Sequence, residues 1–265
     1  MNKNTFTNTA LAKGEMQVYD FGKVKLHAYK TNDPIENEVF LVEKDGNVVI
    51  LESPCFFDNI QELTDYLTYH NLKPAGILLA YHMAGASFLP GVPVYSTQNA
   101  DEYGHAGGGA GLIRQFANLF GNAFDPSIFS VTNYIDEGKI QIGGIEFVIT
   151  RTAEAFDIEI PEINVLYTHM LGHDCHSIVA GRDHADNMIA VLNTYINIGY
   201  ELILTSHYTP EDLHDVKTKI AYLDHLKTIA SRCNTADEFK TAVHKEYPDY
   251  SGDNYLDMTA GFFFS

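Results

Sequence analysis

Runs of apolar residues along the chain predict strands, and stretches with helical periodicity lie between them. The first 55 residues alternate between apolar and polar positions, which is typical of half-buried strands. Asp-Gly at 45–46 and Gly-Gly at 143–144 each separate two such runs and therefore predict two hairpins. The expected strands are 16–19, 24–29, 38–42, 47–51, 75–80, 92–95, 139–142, 145–149, 163–168 and 202–205.

Helices are predicted where apolar residues recur every three or four positions. Asp58 can cap the first helix, and Thr209 is expected to start another with Pro210 at its first helical position. The glycine-rich segment 104–111 is expected to be a flexible connection or a loop over a site. The remaining expected helices cover 112–120, 184–198 and a segment that follows Thr235 and Glu238.

Hairpins with helices between them, in two successive groups, predict stacked α and β layers. The sequence contains neither a linker nor a clear repeat, so we expect one domain over residues 1–265, with a C-terminal helix and tail from about residue 234. Three adjacent phenylalanines at 262–264 are expected to pack on the body or on a subunit interface, which leaves a homo-oligomer open.

Charge and cysteine content exclude several classes of protein. With 17 Lys and Arg against 35 Asp and Glu, the net charge is −18, which disfavours binding to nucleic acid or to an anionic membrane. Three widely spaced cysteines form no Cys-x-x-Cys pair, so a zinc knuckle or a redox dithiol is not predicted. Reduced thiols, together with the lack of an apolar N-terminal or membrane-spanning run, predict a cytoplasmic protein.

Polar residues that could carry chemistry follow several of the predicted buried strands. The segments concerned are AYHMAGA at 80–86, TAEA at 152–155, THMLGHDCH at 168–176 and TSHY at 205–208. Sites in α/β proteins collect at such strand ends. Since the chain has 12 histidines, these positions raise the question of a metal site.

Over about residues 15–230 the chain resembles the metallo-β-lactamase superfamily. GILLAYHMAGASFLPGVPVYST is similar to the family segment that carries His-x-His-x-Asp-His, and INVLYTHM is similar to the strand that ends in the bridging acid. ELILTSHYTP is similar to the strand that ends in the last histidine ligand. The resemblance implies an αββα sandwich and zinc-dependent hydrolysis of ester-type bonds.

The chain departs from the family motif at most ligand positions. His207 matches the final histidine, and His82 lies one residue away from a ligand position. The four positions of the motif carry Tyr81, Met83, Gly85 and Ala86, and Met170 stands where the bridging acid belongs. The resemblance therefore predicts that the usual two-metal site is lost.

One branch of the superfamily, the alkylsulfatase-like branch, has Thr-Glu-Ala before a proline-containing turn and His-x-x-His before Arg-Asp. Glu154-Ala155 and His173-Asp174-Cys175-His176 are similar to those motifs. This resemblance implies that Glu154 occupies a ligand position. His173 and His176 lie beside the site or, on one helix face, could chelate a metal.

Two hypotheses follow. In the first, the chain is a non-catalytic relative that binds an unidentified small molecule in the old cleft. In the second, it is a hydrolase with a rearranged, mononuclear site built from His82, Glu154 and His207, helped by His173 or His176. In both, the pocket residues are expected to be Tyr81, Met83, His105, His169 and Met170.

Overall fold

The strands form two sheets in the computed structural model, which describes residues 2–169 and 171–264. In the first sheet eight strands lie side by side in chain order, with antiparallel pairs up to β5 and parallel pairs from β5 onward. They are β1 (Thr7–Ala10), β2 (Glu15–Asp20), β3 (Val24–Lys30), β4 (Glu38–Lys44), β5 (Asn47–Leu51), β6 (Lys73–Leu78), β7 (Val94–Ser96) and β8 (Asn133–Tyr134).

The second sheet has six strands in the order β14-β13-β12-β11-β10-β9. They are β9 (Gly138–Ile142), β10 (Ile145–Arg151), β11 (Phe156–Ile160), β12 (Val165–Tyr167), β13 (Leu202–Thr205) and β14 (Tyr208–Glu211). β12 and β13 are parallel, with Tyr167 opposite Leu204. The carboxyl ends of these two strands therefore lie side by side, although a long helix separates them in the sequence.

Seven α-helices are present in the described residues, and the chain divides into two compact units. The first unit comprises residues 2–169 and 202–210 and holds the strands with α1 (Phe57–Tyr69), α2 (Gln98–His105) and α3 (Gly108–Phe120). The second comprises 171–201 and 211–264 and holds α4 (Arg182–Ile198), α5 (Leu213–Ala230), α6 (Ala236–Glu246) and α7 (Asp253–Phe263). The expectation of a single domain stays a prediction.

The core of the first unit is shared by its two sheets. Phe40 of the first sheet and Tyr167 of the second are both fully buried, and their rings meet edge to face at 6.1 Å. Along α1 the buried apolar residues Ile60, Leu63 and Leu67 recur at the predicted helical spacing. The apolar face that the sequence predicts for α1 is therefore the face that is buried in the structure.

Both predicted hairpins are confirmed, because their turns use the backbone conformation that glycine and aspartate tolerate. Asp45 and Gly46 have φ of 52° and 76°, and Gly143 and Gly144 have φ of 59° and 81°. Two successive residues with positive φ match the twist of antiparallel strands. These turns fix the register of β4 with β5 and of β9 with β10.

The expected helix start at Thr209 is wrong, since residues 208–211 form β14. Helix α5 begins after Asp212, whose side chain accepts the His214 N–H, while the Asp215 side chain accepts the Asp212 N–H. This capping box sets the helix start three residues later than expected.

Two further local expectations are wrong. The glycine-rich segment is largely helical, with residues 104–105 in α2 and 108–111 in α3. Its glycines allow close packing, because a Cβ at Gly108 or Gly109 would lie 3.0 Å from the ring of Tyr103. Asp58 lies inside the first turn of α1 instead of capping it. There a carboxylate still interacts favourably with the helix N-terminus.

The tail packs on the second unit in part, as expected. The ring of Phe263 stacks on Phe239 of α6 at 5.5 Å, whereas Phe262 is 49% exposed. The homo-oligomer stays a prediction. No helix in the described part of the chain is long and apolar enough to cross a membrane.

Candidate metal site

Three histidines from separate strand ends meet in the first unit. His82 follows β6, His169 follows β12 and His207 follows β13. One ring nitrogen of each lies within 4.8 Å of a ring nitrogen of the other two. We call these three residues the histidine cluster.

The pairing of neighbouring strands determines where the residues of the histidine cluster lie. Beyond the parallel pair β12 and β13, the Thr168 N–H donates to Leu204 O at 2.9 Å, and the Ser206 N–H donates to His169 O at 3.0 Å. His169 and His207 are therefore held side by side. The backbone N–H of His82 donates to the carboxylate of Glu52 at 2.9 Å, which fixes the loop after β6.

The three rings are tilted against one another, so no ring covers its neighbour. Centroids lie 5.5 Å apart for His82 and His169, 5.1 Å for His82 and His207, and 5.4 Å for His169 and His207. The interplanar angles are 78°, 60° and 81°. Edge-on rings leave their nitrogens free to face a common point.

Hydrogen bonds orient two of the rings. His207 Nδ1 lies 3.1 Å from Ile35 O, and since a carbonyl only accepts, Nδ1 carries the proton and Nε2 keeps its lone pair. His169 Nδ1 lies 3.2 Å from Ser206 Oγ. His82 Nδ1 is buried and has no hydrogen-bond partner among the described residues.

All three imidazoles are kept neutral by their surroundings. Burial lowers the pKa of His82 well below its usual value, and the neighbouring His207 and His169 lower it further. Burial lowers the pKa of His169 to about 3, again with a contribution from His207, and burial also lowers the pKa of His207. Neutral imidazole is the form that binds a metal.

A hydrogen-bonded chain runs beneath the cluster. Ser206 Oγ lies 2.6 Å from the phenolic oxygen of Tyr167, which donates to Glu52 Oε1 at 2.5 Å. Glu52 is fully buried and has a φ of 64°, and burial raises the pKa of its carboxyl group. Burial and the nearby Glu52 raise the pKa of Tyr167 well above its usual value, so this phenol stays protonated as a donor.

The arrangement is consistent with a bound metal ion such as zinc. Three neutral imidazoles are a common ligand set for a catalytic zinc, whose fourth position stays open. His207 donates its Nδ1 proton to a carbonyl, which is the usual outer contact of a ligating histidine. The unpartnered nitrogen of His82 is a further sign that a polar group belongs there.

The structure brings together two of the three residues that were predicted as ligands and places a different histidine beside them. His82 and His207 meet His169, which the sequence predicts only as a pocket residue. Glu154 is exposed and is not part of the cluster. The signal for His169 was its position directly after β12, but the family resemblance places the position of the bridging acid one residue later, at Met170, which lies outside the described residues.

The other residues that were expected to line a pocket lie in three different surroundings. Tyr81 stacks on His169 with centroids 4.3 Å apart, and its hydroxyl lies 2.9 Å from Thr152 Oγ1. Met83 is buried, and the Cβ of any residue replacing Gly104 would meet its side chain. His105 ends α2 and lies 3.0 Å from an Asp101 carboxylate oxygen.

His173 and His176 do not share a helix face, because both lie in the segment before α4. In the second unit His173 Nδ1 lies 2.7 Å from Glu211 Oε1, and its Nε2 lies 3.5 Å from Asp215 Oδ1. The hydrogen bond to Glu211 raises the pKa of His173, which favours the protonated imidazole beside these two carboxylates. His176 instead contacts Tyr222 and Tyr250, with its Nδ1 2.7 Å from the Tyr222 hydroxyl.

Gly85 occupies a position at which the resembled motif has an aspartate. Its φ is 91°, and a Cβ there would lie 2.2 Å from Pro54 O. In this backbone position 85 therefore accommodates no side chain. The local structure itself accounts for glycine there.

A cavity of about 400 Å³ lies beside His207. Its lining comprises Lys30, Asn32, Asp33, Glu36, Glu38, Tyr208 and Thr209 in addition to His207. Burial raises the pKa of Glu38 to about 8, which keeps most of this carboxyl group neutral at pH 7. With one amino group and three carboxyl groups, the cavity offers no net positive charge.

No known protein-family profile matches the chain, and no curated protein sequence matches it. Solved structures do. A stereoselective inverting sec-alkylsulfatase from Pseudomonas sp. is 15% identical with a TM-score of 0.63, covering 92% of this chain and 49% of its own. The chain thus spans about half the length of the alkylsulfatase.

Two shorter structures match as well. A metallo-β-lactamase family protein from Thermus thermophilus is 13% identical with a TM-score of 0.62, covering 91% of each chain. A metallo-β-lactamase from Erythrobacter litoralis is 11% identical with a TM-score of 0.57, covering 83% of this chain and 100% of its own. The predicted fold class is confirmed: the chain has the α/β fold of the metallo-β-lactamase type.

Proposed function

We propose that the chain is a hydrolase of ester-type bonds that uses a single metal ion, preferably zinc, held by His82, His169 and His207. The observation that carries the proposal is the convergence of three neutral imidazoles from three strand ends. The structural neighbours include a sulfatase and a β-lactamase, both of which are hydrolases.

The protein contributes position and protonation state. The Ile35 carbonyl fixes the tautomer and tilt of His207, and the contact with Ser206 Oγ orients the ring of His169. Tyr81 covers one face of His169 and restricts rotation of its ring. Zinc in this set would supply Lewis-acid polarisation of the scissile group and a lowered pKa for water.

Charge favours a neutral or cationic ester over a sulfate. The cavity beside His207 has no net positive charge, and the chain as a whole carries −18. An anionic substrate would find attraction only at the metal. We therefore propose a small ester whose non-reacting part lies in this cavity.

The second candidate function is binding of a small molecule without catalysis. It is favoured by the positions of Met83 and Gly85, which are committed to packing although the resembled motif uses them as ligands. In both candidates the usual two-metal site is lost. The two candidate functions differ in whether the protein hydrolyses an ester.

The test uses protein purified without a histidine tag. Metal per chain is measured by mass spectrometry for the wild type and for His82→Ala, His169→Ala and His207→Ala, with the exposed His70→Ala as control. Each cluster variant is expected to lose one equivalent of zinc relative to the control. Metal contents equal to that of the control in all three variants would overturn the site.

Hydrolysis of 4-nitrophenyl acetate and 4-nitrophenyl sulfate is then compared in the same proteins. The proposal expects zinc-dependent cleavage, faster for the acetate, that is lost in all three cluster variants and retained in His70→Ala. Zinc bound without cleavage of either ester would support the binding protein instead.

A further inference from the structure

The second unit contains a buried histidine nitrogen without a partner. His176 is 0% exposed, and its Nδ1 lies 2.7 Å from the hydroxyl of Tyr222. Its Nε2 is buried too and has no hydrogen-bond partner among the described residues. Buried polar groups nearly always have partners, so this nitrogen points to a ligand.

Two exposed side chains lie close to His176. His244 of α6 and Asp253 at the start of α7 each place one ligand atom within 4.8 Å of the other and of His176. Their side chains are 47% and 75% exposed, and His244 Nδ1 lies 3.8 Å from Asp253 Oδ1. That distance is too long for a hydrogen bond, so only a loose ion pair joins these two side chains directly.

We infer that His176, His244 and Asp253 bind a second zinc ion, separate from the histidine cluster. Two imidazoles and one carboxylate are typical zinc ligands, and the exposed side leaves room for a water molecule as the fourth ligand. Zinc bonds of about 2.0–2.2 Å bring ligand atoms to about 3.3 Å from one another. The ligand atoms lie within 4.8 Å of one another without a metal, so they would have to move closer by up to about 1.5 Å.

The surroundings prepare His176 for this role. Burial lowers its pKa to about 4, with a contribution from His244, so the imidazole is neutral at neutral pH. Tyr250 packs against its ring with centroids 5.6 Å apart, and Tyr247 packs on Tyr250 at 4.8 Å. These aromatic rings hold the inner ligand in one orientation, while the other two ligands remain adjustable.

The start of α7 would by itself explain an aspartate at position 253, because a carboxylate stabilises a helix N-terminus. It does not explain the unpartnered nitrogen of His176 opposite it. An ion at this point would join the segment before α4 to α6 and α7. Its binding energy would then stabilise the second unit directly.

The test uses the full untagged chain with zinc as the only added ligand. The wild type is expected to bind two equivalents, and His244→Ala and Asp253→Asn are expected to bind one, with affinity at the second site at least tenfold weaker. His214→Ala, an exposed histidine on α5, is the matched control. Far-UV circular dichroism confirms that each variant is folded.

Thermal unfolding gives an independent readout. Zinc should raise Tm less in His244→Ala and Asp253→Asn than in His214→Ala, whereas ester hydrolysis should remain in all three. Unchanged zinc content and an unchanged Tm increase in both site variants would overturn this second site. That result would leave the histidine cluster untouched, since its metal is lost only in His82→Ala, His169→Ala and His207→Ala.

Discussion

The phenolic oxygen of Tyr167 lies 2.5 Å from Oε1 of Glu52, deep inside the first unit. Glu52 follows β5 in one sheet, and Tyr167 ends β12 in the other. The same carboxylate holds the backbone of His82, and the same phenol contacts Ser206. One buried pair of side chains thus links the two sheets and positions the loops that carry the histidine cluster.

Tyr167→Phe removes the donor from this pair and leaves a buried carboxylate oxygen with fewer partners. A hydrogen bond to a charged group is worth about 1.5–3 kcal/mol, so we expect the free energy of unfolding in urea to fall by that amount. Tyr134→Phe is the matched control, because the Tyr134 hydroxyl donates to Asp101 at 2.7 Å on the surface. A loss in Tyr167→Phe no larger than in the control would contradict the linking role.

Ser206→Ala removes the side chain that contacts Nδ1 of His169. If His169 is a ligand, loss of this outer contact should weaken zinc affinity about 10–100-fold. The measurement is competition with a chelator of known affinity, with Ser231→Ala, a serine at the end of α5, as control. Equal affinities in the two variants would show that His169 needs no support from Ser206.

Gly85→Ala and Gly91→Ala separate backbone strain from steric exclusion. Both glycines have nearly the same φ, 91° and 89°, but a Cβ meets Pro54 O at 2.2 Å at position 85 and nothing within 4 Å at position 91. Gly91→Ala should cost about 1–2 kcal/mol of unfolding free energy. Gly85→Ala should cost about 1–3 kcal/mol more, because the backbone around it must move. Equal losses would mean that the loop adjusts freely.

Glu38→Gln tests a buried carboxyl group beside the cavity. Burial raises the folded-state pKa of Glu38 from its ordinary 4.5 to about 8, so its contribution to stability is fully present below pH 4.5 and is lost as the pH rises to 8. The loss has a slope of at most about 1.4 kcal/mol per pH unit. Glutamine does not ionise, so the variant should be more stable than the wild type at pH 8.

The measurement for Glu38→Gln is urea unfolding at pH 4.5, 6 and 8. The variant's advantage over the wild type should grow with pH. Glu36→Gln removes an exposed carboxyl group from the same segment and should show no such growth. A pH-independent difference for Glu38→Gln would mean that the carboxyl group reaches water.

Local structure could be predicted wherever the residues that determine it lie within one short stretch of the sequence. Asp45-Gly46 and Gly143-Gly144 specify their hairpins because positive φ is a property of the residues themselves. The start of α5 was predicted three residues too early because both Thr209 and Asp212 are possible caps. The reciprocal hydrogen bonds of Asp212 and Asp215 favour the later one. The glycines at 108 and 109 suggested a loop because the ring of Tyr103, against which they pack, is not visible in a linear pattern.

The sequence by itself predicted both hairpins and ten of the fourteen strands in the described residues, since alternation and turn residues act over a few positions, but it missed β1, β8, β11 and β14. The fold class and two members of the histidine cluster followed from the family resemblance. Only the tertiary structure decided that His169 completes the cluster and that Glu154 stays outside. The tertiary structure also decided that His173 pairs with Glu211, whereas His176 contacts Tyr222. Those outcomes depend on parallel pairing of β12 with β13 and on contacts such as that of Glu52 with Tyr167, 115 residues apart. No local pattern encodes which strand ends meet in space.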